Sequence, residues 1–202
     1  MGAPDENTRQ RILLAALKRF AESGYAGTSV REIVNDARVT KPTLDYYFES
    51  KAGLFQALID WAHDERFRLM QEAAGRKREI AGQLTEILTV LFKFLSSHRE
   101  LMRIAFATAF AAKGEIPPEI RYLDKCQRNM EFIHGLIRRG IAAGSLKRNF
   151  DSERLVMGIF GMMNIHVMAY LVNPRRRLSR ETARSIVQLY LEGAGTSRAG
   201  AA

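Results

Sequence analysis

The sequence predicts an all-α protein of about nine helices, a small three-helix lobe followed by a larger helical part, and three observations carry this. Apolar residues recur at helical spacing through most of the chain, helix caps and Gly/Pro stops punctuate the recurrence, and nothing alternates at period two over a useful length. At 202 residues the chain is long enough for one or two domains. It can bury roughly 70% of its unfolded surface without a staple. A single cysteine, Cys126, excludes an internal disulfide and a multi-cysteine metal site, which suits a reducing cytosol. The opening MGAPDENTRQR is followed by no secretory-type apolar run, so a cytoplasmic location is expected.

The first helix spans Asn7 to Glu22, with Ile12, Leu13, Ala16, Leu17 and Phe20 on one stripe and Ser23-Gly24 as its stop. Ser29 with Glu32 three residues on is a capping box, so Thr28 to Ala37 is helical. Val30, Ile33, Val34 and Ala37 share its inner face, leaving Arg31 and Glu32 outside. Ala37-Arg38-Val39 is a turn. Thr40 then caps a second short helix, in which Pro42 is tolerated because a first-turn amide needs no intrahelical partner. Leu44, Tyr47 and Phe48 face inward there, and Lys41, Thr43, Asp45 and Tyr46 face outward.

Ser50 caps a long helix to about Ala73 with Leu54, Phe55, Leu58 and Ala62 inward; joining the two parts, it would carry a shift from one to the other. Leu84, Ile87, Leu88, Leu91 and Leu95 mark the next helix, and SSHRE breaks it before a run to Ala112 that Lys113-Gly114 stops. Pro117-Pro118 opens a helix with Ile120, Leu123, Met130, Ile133 and Ile137 buried, ending near Gly144. Asp151 caps a segment that ends at Asn173-Pro174, and Ser179 caps Arg180 to about Glu192. The tail from Gly193 to Ala202 reads as disordered.

Two short helices joined by a three-residue turn fit either an ordinary helical hairpin or a helix-turn-helix, whose second helix enters the major groove with its N-terminal residues at the base edges. Thr28, Ser29 and Arg31 suit phosphate oxygens at a helix N-terminus. Lys41 and Thr43 suit base edges or adjacent phosphates, and Tyr46 and Tyr47 suit the backbone. The net charge of +9 does not locate this site, because residues 1–50 hold seven Lys/Arg against seven Asp/Glu.

The run GYAGTSVREIVNDARVTKPTLDYYFESKAGLF resembles the N-terminal signature of the TetR family of bacterial transcriptional repressors. The resemblance implies a helix-turn-helix DNA-binding domain at 1–50 and a helical effector-binding and dimerisation domain at 51–193, with 194–202 as tail. It implies phosphate and base contacts at Thr28, Ser29, Arg31, Thr40, Lys41, Pro42, Thr43, Tyr46, Tyr47 and Lys51. Two positions depart from the pattern. Arg38 stands where glycine is usual, so a left-handed residue there costs about 1 kcal/mol. Asp45 stands where an aromatic is common; a carboxylate near phosphate is repelled unless it accepts from a cytosine amino group or pairs with Lys41 or Arg31. These departures leave open a second reading, an all-α apolar-ligand carrier that no longer binds DNA.

Leu155 to Val172 runs 18 residues without a charge, flanked by Arg154 and by Arg175-Arg176-Arg177. It is near the lower limit for a membrane span, but Asn164 and His166 sit near its middle, and no membrane is expected. The alternative is a helix covered by its own domain on one side and a second subunit on the other, Gly158 and Gly161 permitting close approach. In TetR-like proteins the last two long helices form a four-helix dimer interface, so the resemblance implies a homodimer through Leu155–Val172 and Arg180–Glu192 on a double-stranded DNA operator. The arginine triplet reads as a solvated flank.

Trp61, Phe92, Phe94, Met102, Phe106, Phe110, Cys126, Met130, Met162 and Met163 are flexible or aromatic apolar groups of the kind that fill cores. The resemblance implies a small apolar or amphipathic effector held among them, with His134, Asn164 and His166 orienting it. The expected ligand-binding set is Trp61, Phe92, Met102, Phe106, Phe110, Cys126, Met130, His134, Met163 and His166. The histidines at 63, 98, 134 and 166 lack metal spacing, and no cofactor is implied. No nucleophile-and-base arrangement, phosphate loop or HExxH occurs, so an enzyme is not expected.

Overall fold

A computed structural model describes residues 5–112, 114–147 and 150–193. Among these, nine helices follow one another and no strand occurs: α1 (Glu6–Gly27), α2 (Val30–Ala37), α3 (Lys41–Phe48), α4 (Lys51–Gly75), α5 (Ile80–Ser97), α6 (Arg99–Ala109), α7 (Tyr122–Ala142), α8 (Ser152–Val172) and α9 (Arg180–Glu192). Packing divides them into two units, Met1–Glu65 with His98–Cys126, and Arg66–Ser97 with Gln127–Ala202. This differs from the 1–50 and 51–193 division read from the sequence, because α6 and the residues after it pack with α1. The expected tail, 194–202, lies outside the described residues.

The first unit is built on the apolar faces of its helices. Ile12, Ala16 and Phe20 of α1 meet Ile33 and Ala37 of α2, Leu44 and Phe48 of α3, and Leu54 and Phe55 of α4. Ile104 of α6 and Ile120 join the same core. Phe20, Tyr25 and Phe55 form an aromatic knot, Phe20 and Tyr25 each meeting Phe55 edge-on at 5.0 Å. The helical path of α1 breaks at Gly24, whose φ of 71° favours glycine, so the expected stop is real and a further turn follows it.

Two boundaries in this region differ from expectation. α6 ends at Ala109 rather than Ala112, and Lys113 of the expected stop lies outside the described residues. α7 begins at Tyr122 and not at Pro117-Pro118. The amide of Ile120 donates to the Pro117 carbonyl at 3.1 Å and that of Arg121 to Gln56 Oε1 at 2.8 Å, which holds the segment as a turn. Ile120 is buried from that turn, whereas Leu123 is 64% exposed, because the buried side of α7 begins only at Asn129.

In the second unit, α5 supplies Leu84, Ile87, Leu88, Leu91 and Leu95 to the core as its spacing predicts. α9 packs along α5, and α8 along α9. Glu86, buried on α5, receives Arg180 of α9 in a two-pronged ion pair, Nη1 lying 3.4 Å from Oε2. The guanidinium holds the Glu86 carboxyl below its ordinary range. Ser179 caps α9 by accepting from the Thr182 amide at 3.1 Å; Asp151, placed at the N-cap of α8, makes no side-chain capping bond. The Tyr190 hydroxyl donates to the Leu155 carbonyl at 3.0 Å, and burial pushes its pKa up to about 12.

α8 is long and apolar enough to cross a membrane, yet only one stripe of it is covered in its unit. Val156, Ile159, Met163 and Val167 are buried, while Met157, Ile165, Met168 and Val172 are exposed on the other side. Asn164 and His166 are also exposed, on the uncovered side of α8 and not in the core of its unit.

Candidate nucleic-acid interface

The reading head is set by three local devices. Ser29 closes the start of α2 with a complete capping box: its Oγ accepts from the Glu32 amide at 3.2 Å, and Glu32 Oε2 accepts from the Ser29 amide at 2.9 Å and from its hydroxyl at 2.7 Å. These bonds hold the Glu32 carboxyl below its ordinary range. Arg38 ends α2 at φ 53°, ψ 50°, the left-handed conformation expected of a glycine position. Thr40 then opens α3, accepting from the Thr43 amide at 3.3 Å, with its hydroxyl 2.8 Å from that of Thr43. Since Arg38 carries a Cβ where glycine has none, Arg38→Gly should stabilise the chain by about 1 kcal/mol. Scanning calorimetry should show the melting temperature rise by about 2–4 °C.

α3 sorts its side chains cleanly. Leu44 and Phe48 are buried, while Lys41, Pro42 and Tyr46 stand exposed, Tyr46 at 61% and edge-on to Tyr47. Lys41 Nζ donates to Asp45 Oδ2 at 2.6 Å, so the carboxylate that departs from the family pattern has one of the partners anticipated for it. Ser29, Arg31 and Thr40 are exposed beside this face, and Thr43 and Asp45 are half-buried.

Three other expected contacts are engaged inside the unit. Thr28 is 3% exposed, its hydroxyl 2.7 Å from the Gly24 carbonyl oxygen and 3.1 Å from that of Arg19. Lys51 Nζ donates to the Tyr25 and Thr28 carbonyls at 2.9 Å each and lies 4.3 Å from the centre of the Tyr25 ring. Partial burial lowers its pKa. Tyr47 donates through its hydroxyl to the Asp5 carbonyl at 3.2 Å. In the free chain Thr28 and Lys51 therefore hold the start of α2 in place. Motif matching does not separate such a brace from a contact, since both occupy the same positions.

Two further supports carry no local signal. Arg19 pairs with Asp36 in a fork, at 2.7 and 2.8 Å, locking α1 to α2 across 17 residues of sequence. A Cβ on Gly53 would lie 2.2 Å from the Phe48 carbonyl oxygen, so only glycine lets the start of α4 approach the end of α3. The spacing of the apolar residues hints at neither.

The ten expected ligand residues are shared between the two units. Trp61, Met102, Phe106, Phe110 and Cys126 belong to the first unit; Phe92, Met130, His134, Met163 and His166 belong to the second. Trp61 and Phe110 are 43% and 79% exposed, and Cys126 Sγ lies 3.8 Å from Nε2 of the buried His63. His134 Nε2 is 2.7 Å from Ser152 Oγ, and the His166 ring faces its own helix at the Met162 carbonyl. An apolar cleft in the second unit is lined by Met70, Leu84, Leu88, Ile133, Phe160 and Met163 among others, and holds about 10 Å³. Met163 is the one expected residue on it. Apolar side chains of one kind fill cores and line sites alike, so sequence spacing could not sort them. Among the described residues no group of three or more His, Cys, Asp or Glu is placed to hold a metal ion.

Residues 12–58 match the family model described as bacterial regulatory proteins, tetR family. The chain is 28% identical over 102 residues to the probable HTH-type transcriptional regulator YttP of Bacillus subtilis, a match covering 50% of this chain and 49% of that one. It is 22% identical to the fatty acid metabolism regulator protein of the same organism, covering 91% and 93% of the two chains. The crystal structure of the transcriptional regulator FadR from Bacillus subtilis in complex with stearoyl-CoA superposes with a TM-score of 0.79 at 21% identity, covering 93% of this chain and 100% of that one. With a helix-turn-helix capped, turned and faced as this one is, residues 12–58 form a DNA-binding domain of the tetR family of bacterial regulatory proteins, and the relatives that match the chain are transcriptional regulators.

Proposed function

We propose that two copies of this chain read a roughly palindromic operator in the cytoplasm, and that they repress transcription until a small apolar or amphipathic effector releases them. The observation that carries the reading is the side-chain sorting on α3, with Leu44 and Phe48 inside and Lys41, Pro42 and Tyr46 on the free face. Ser29, Arg31, Thr40 and Thr43 flank that face and suit phosphate oxygens; Asp45 suits a cytosine amino group, where a carboxylate accepts. Residues 1–50 form the reading segment and residues 51–193 the effector and dimerisation segment.

One short recognition helix reads only a few base pairs, so useful specificity calls for two half-sites. The bare strip of α8, with Leu189 of α9 53% exposed on the neighbouring helix, suits a second copy better than a membrane. The dimer contact is therefore assigned to Leu155–Val172 and Arg180–Glu192.

The cleft beside Met163 holds about 10 Å³, room for no more than one water. An effector must therefore select a more open arrangement of α5, α7 and α8. A preference of about 3 kcal/mol for that arrangement lowers operator occupancy on the order of 100-fold. A long acyl chain of the kind bound by the Bacillus subtilis regulator is the class to try first.

The test is a gel shift on palindromic DNA from the chain's own upstream region, with salt varied and stearoyl-CoA added. Binding that weakens steeply with salt and is released by the acyl compound is expected. Binding indifferent to salt, or a chain that stays monomeric at all concentrations, sinks the reading.

A further inference from the structure

The first unit contains a cavity of about 200 Å³ between the end of α1 and α6, which no expected ligand residue lines. Phe20, Tyr25 and Phe55 give it aromatic walls, and Ile104, Ala107 and Thr108 come from α6. Thr108 is only 6% exposed, and its Oγ1 has no hydrogen-bond partner. A buried hydroxyl left unmatched costs about 1–3 kcal/mol, which a ligand's polar group would recover once the Thr108 side chain, closed off from the cavity in the free chain, turns toward it. Glu115 stands on the rim, accepting from the Ala112 amide at 2.9 Å, and puts negative charge there. Apolar cavities of about 150 Å³ admit a benzene ring, so this one has room for a ring and one substituent.

We propose that this cavity is a ligand site, taking a single-ring aromatic molecule that carries one hydroxyl or amino group and no negative charge. The ring lies against Phe20, Tyr25 and Phe55, and its polar group meets Thr108 Oγ1 after rotation of that side chain toward the cavity. Its consequence for regulation rests on the DNA-reading role proposed above. Tyr25 is both a wall of the cavity and the residue whose ring and carbonyl hold Lys51, which also holds the Thr28 carbonyl one residue before the cap of α2. A bound ring thus restrains the brace that sets the reading head.

Isothermal titration of the full chain with phenol, benzylamine, toluene and benzoate tests the site. Phenol and benzylamine are expected to bind, and benzoate about tenfold more weakly because of Glu115. Ala107→Trp should abolish phenol binding by filling the mouth. Thr108→Val, nearly isosteric, should weaken phenol about fivefold and leave toluene unchanged. No phenol binding, or phenol binding that both variants leave intact, overturns the site. Operator affinity in the same samples reads the coupling: phenol must change it in the native chain and not in Ala107→Trp. Phenol that binds without changing it overturns the coupling alone, whereas a native chain that never binds operator counts against the DNA-reading role and leaves the titration result standing.

Discussion

Lys41→Ala is expected to weaken operator binding on the order of 100-fold while leaving the fold intact. A base or phosphate contact is worth about 1–3 kcal/mol, and a dimer loses it in both half-sites, so about 1.5 kcal/mol each gives that factor. The fold should survive because the Lys41 side chain is 68% exposed and its bonded neighbour, Asp45, is free to turn to solvent. Tyr46→Ala, removing a ring 61% exposed, should act in the same direction by a smaller factor. Asp45→Asn should do the reverse on generic duplex DNA, tightening it by removing a charge that repels phosphate, while narrowing the preference for the operator. Gel shifts at fixed salt on operator and scrambled duplexes check all three. Equal operator affinity for Lys41→Ala and the native chain would remove α3 from the groove.

Arg180→Ala is expected to destabilise the second unit by about 2 kcal/mol at neutral pH, since it strands a carboxylate whose side chain is 9% exposed. Adding Glu86→Gln should recover more than half of the loss, because an unpaired amide is less costly to bury than an unpaired charge. The pH dependence follows from the direction of the shift. The Glu86 carboxyl is held below its ordinary value of 4.5, so its stabilising effect is complete above that value and disappears as pH falls through the lower folded one. Without Arg180, burial raises the pKa of the carboxyl against the weaker opposing pull of Lys77 and Arg76, so protonation relieves the stranded charge. The gap between native and variant should therefore narrow as pH falls from 7 to 4. Urea unfolding at equal protein concentration measures it. A gap that widens in acid would mean that Glu86 and Arg180 are not the pair that matters.

The reading head was legible because its determinants are local: Ser29 with Glu32, the left-handed turn at Arg38, and Thr40 before Pro42 each act within four residues. α5 and the covered stripe of α8 were legible for the same reason, as periodicity is itself the cause of burial. What escaped was long-range. Arg19 finds Asp36 from another helix, Ile120 reaches the α1 core from a turn, and α6 joins the first unit, none of which leaves a mark on neighbouring residues. The environments of the expected ligand residues were illegible for a different reason: Phe110 and Trp61 are exposed and Phe92 is 0% exposed in the core, so one composition covers both surface and core.

If the outer face of α2 and α3 meets DNA as proposed, its carboxylates change how operator affinity responds to salt. Glu32 already occupies the amide and hydroxyl of Ser29, and Asp45 already occupies Lys41, so an arriving phosphate exchanges places with a tethered anion. The evicted carboxylate stays nearby and offsets the neutralisation, and fewer condensed cations leave the duplex per contact formed. A count of phosphate contacts taken from the slope of affinity against salt will fall short of the geometric one, and Glu32→Gln or Asp45→Asn will bring the two together.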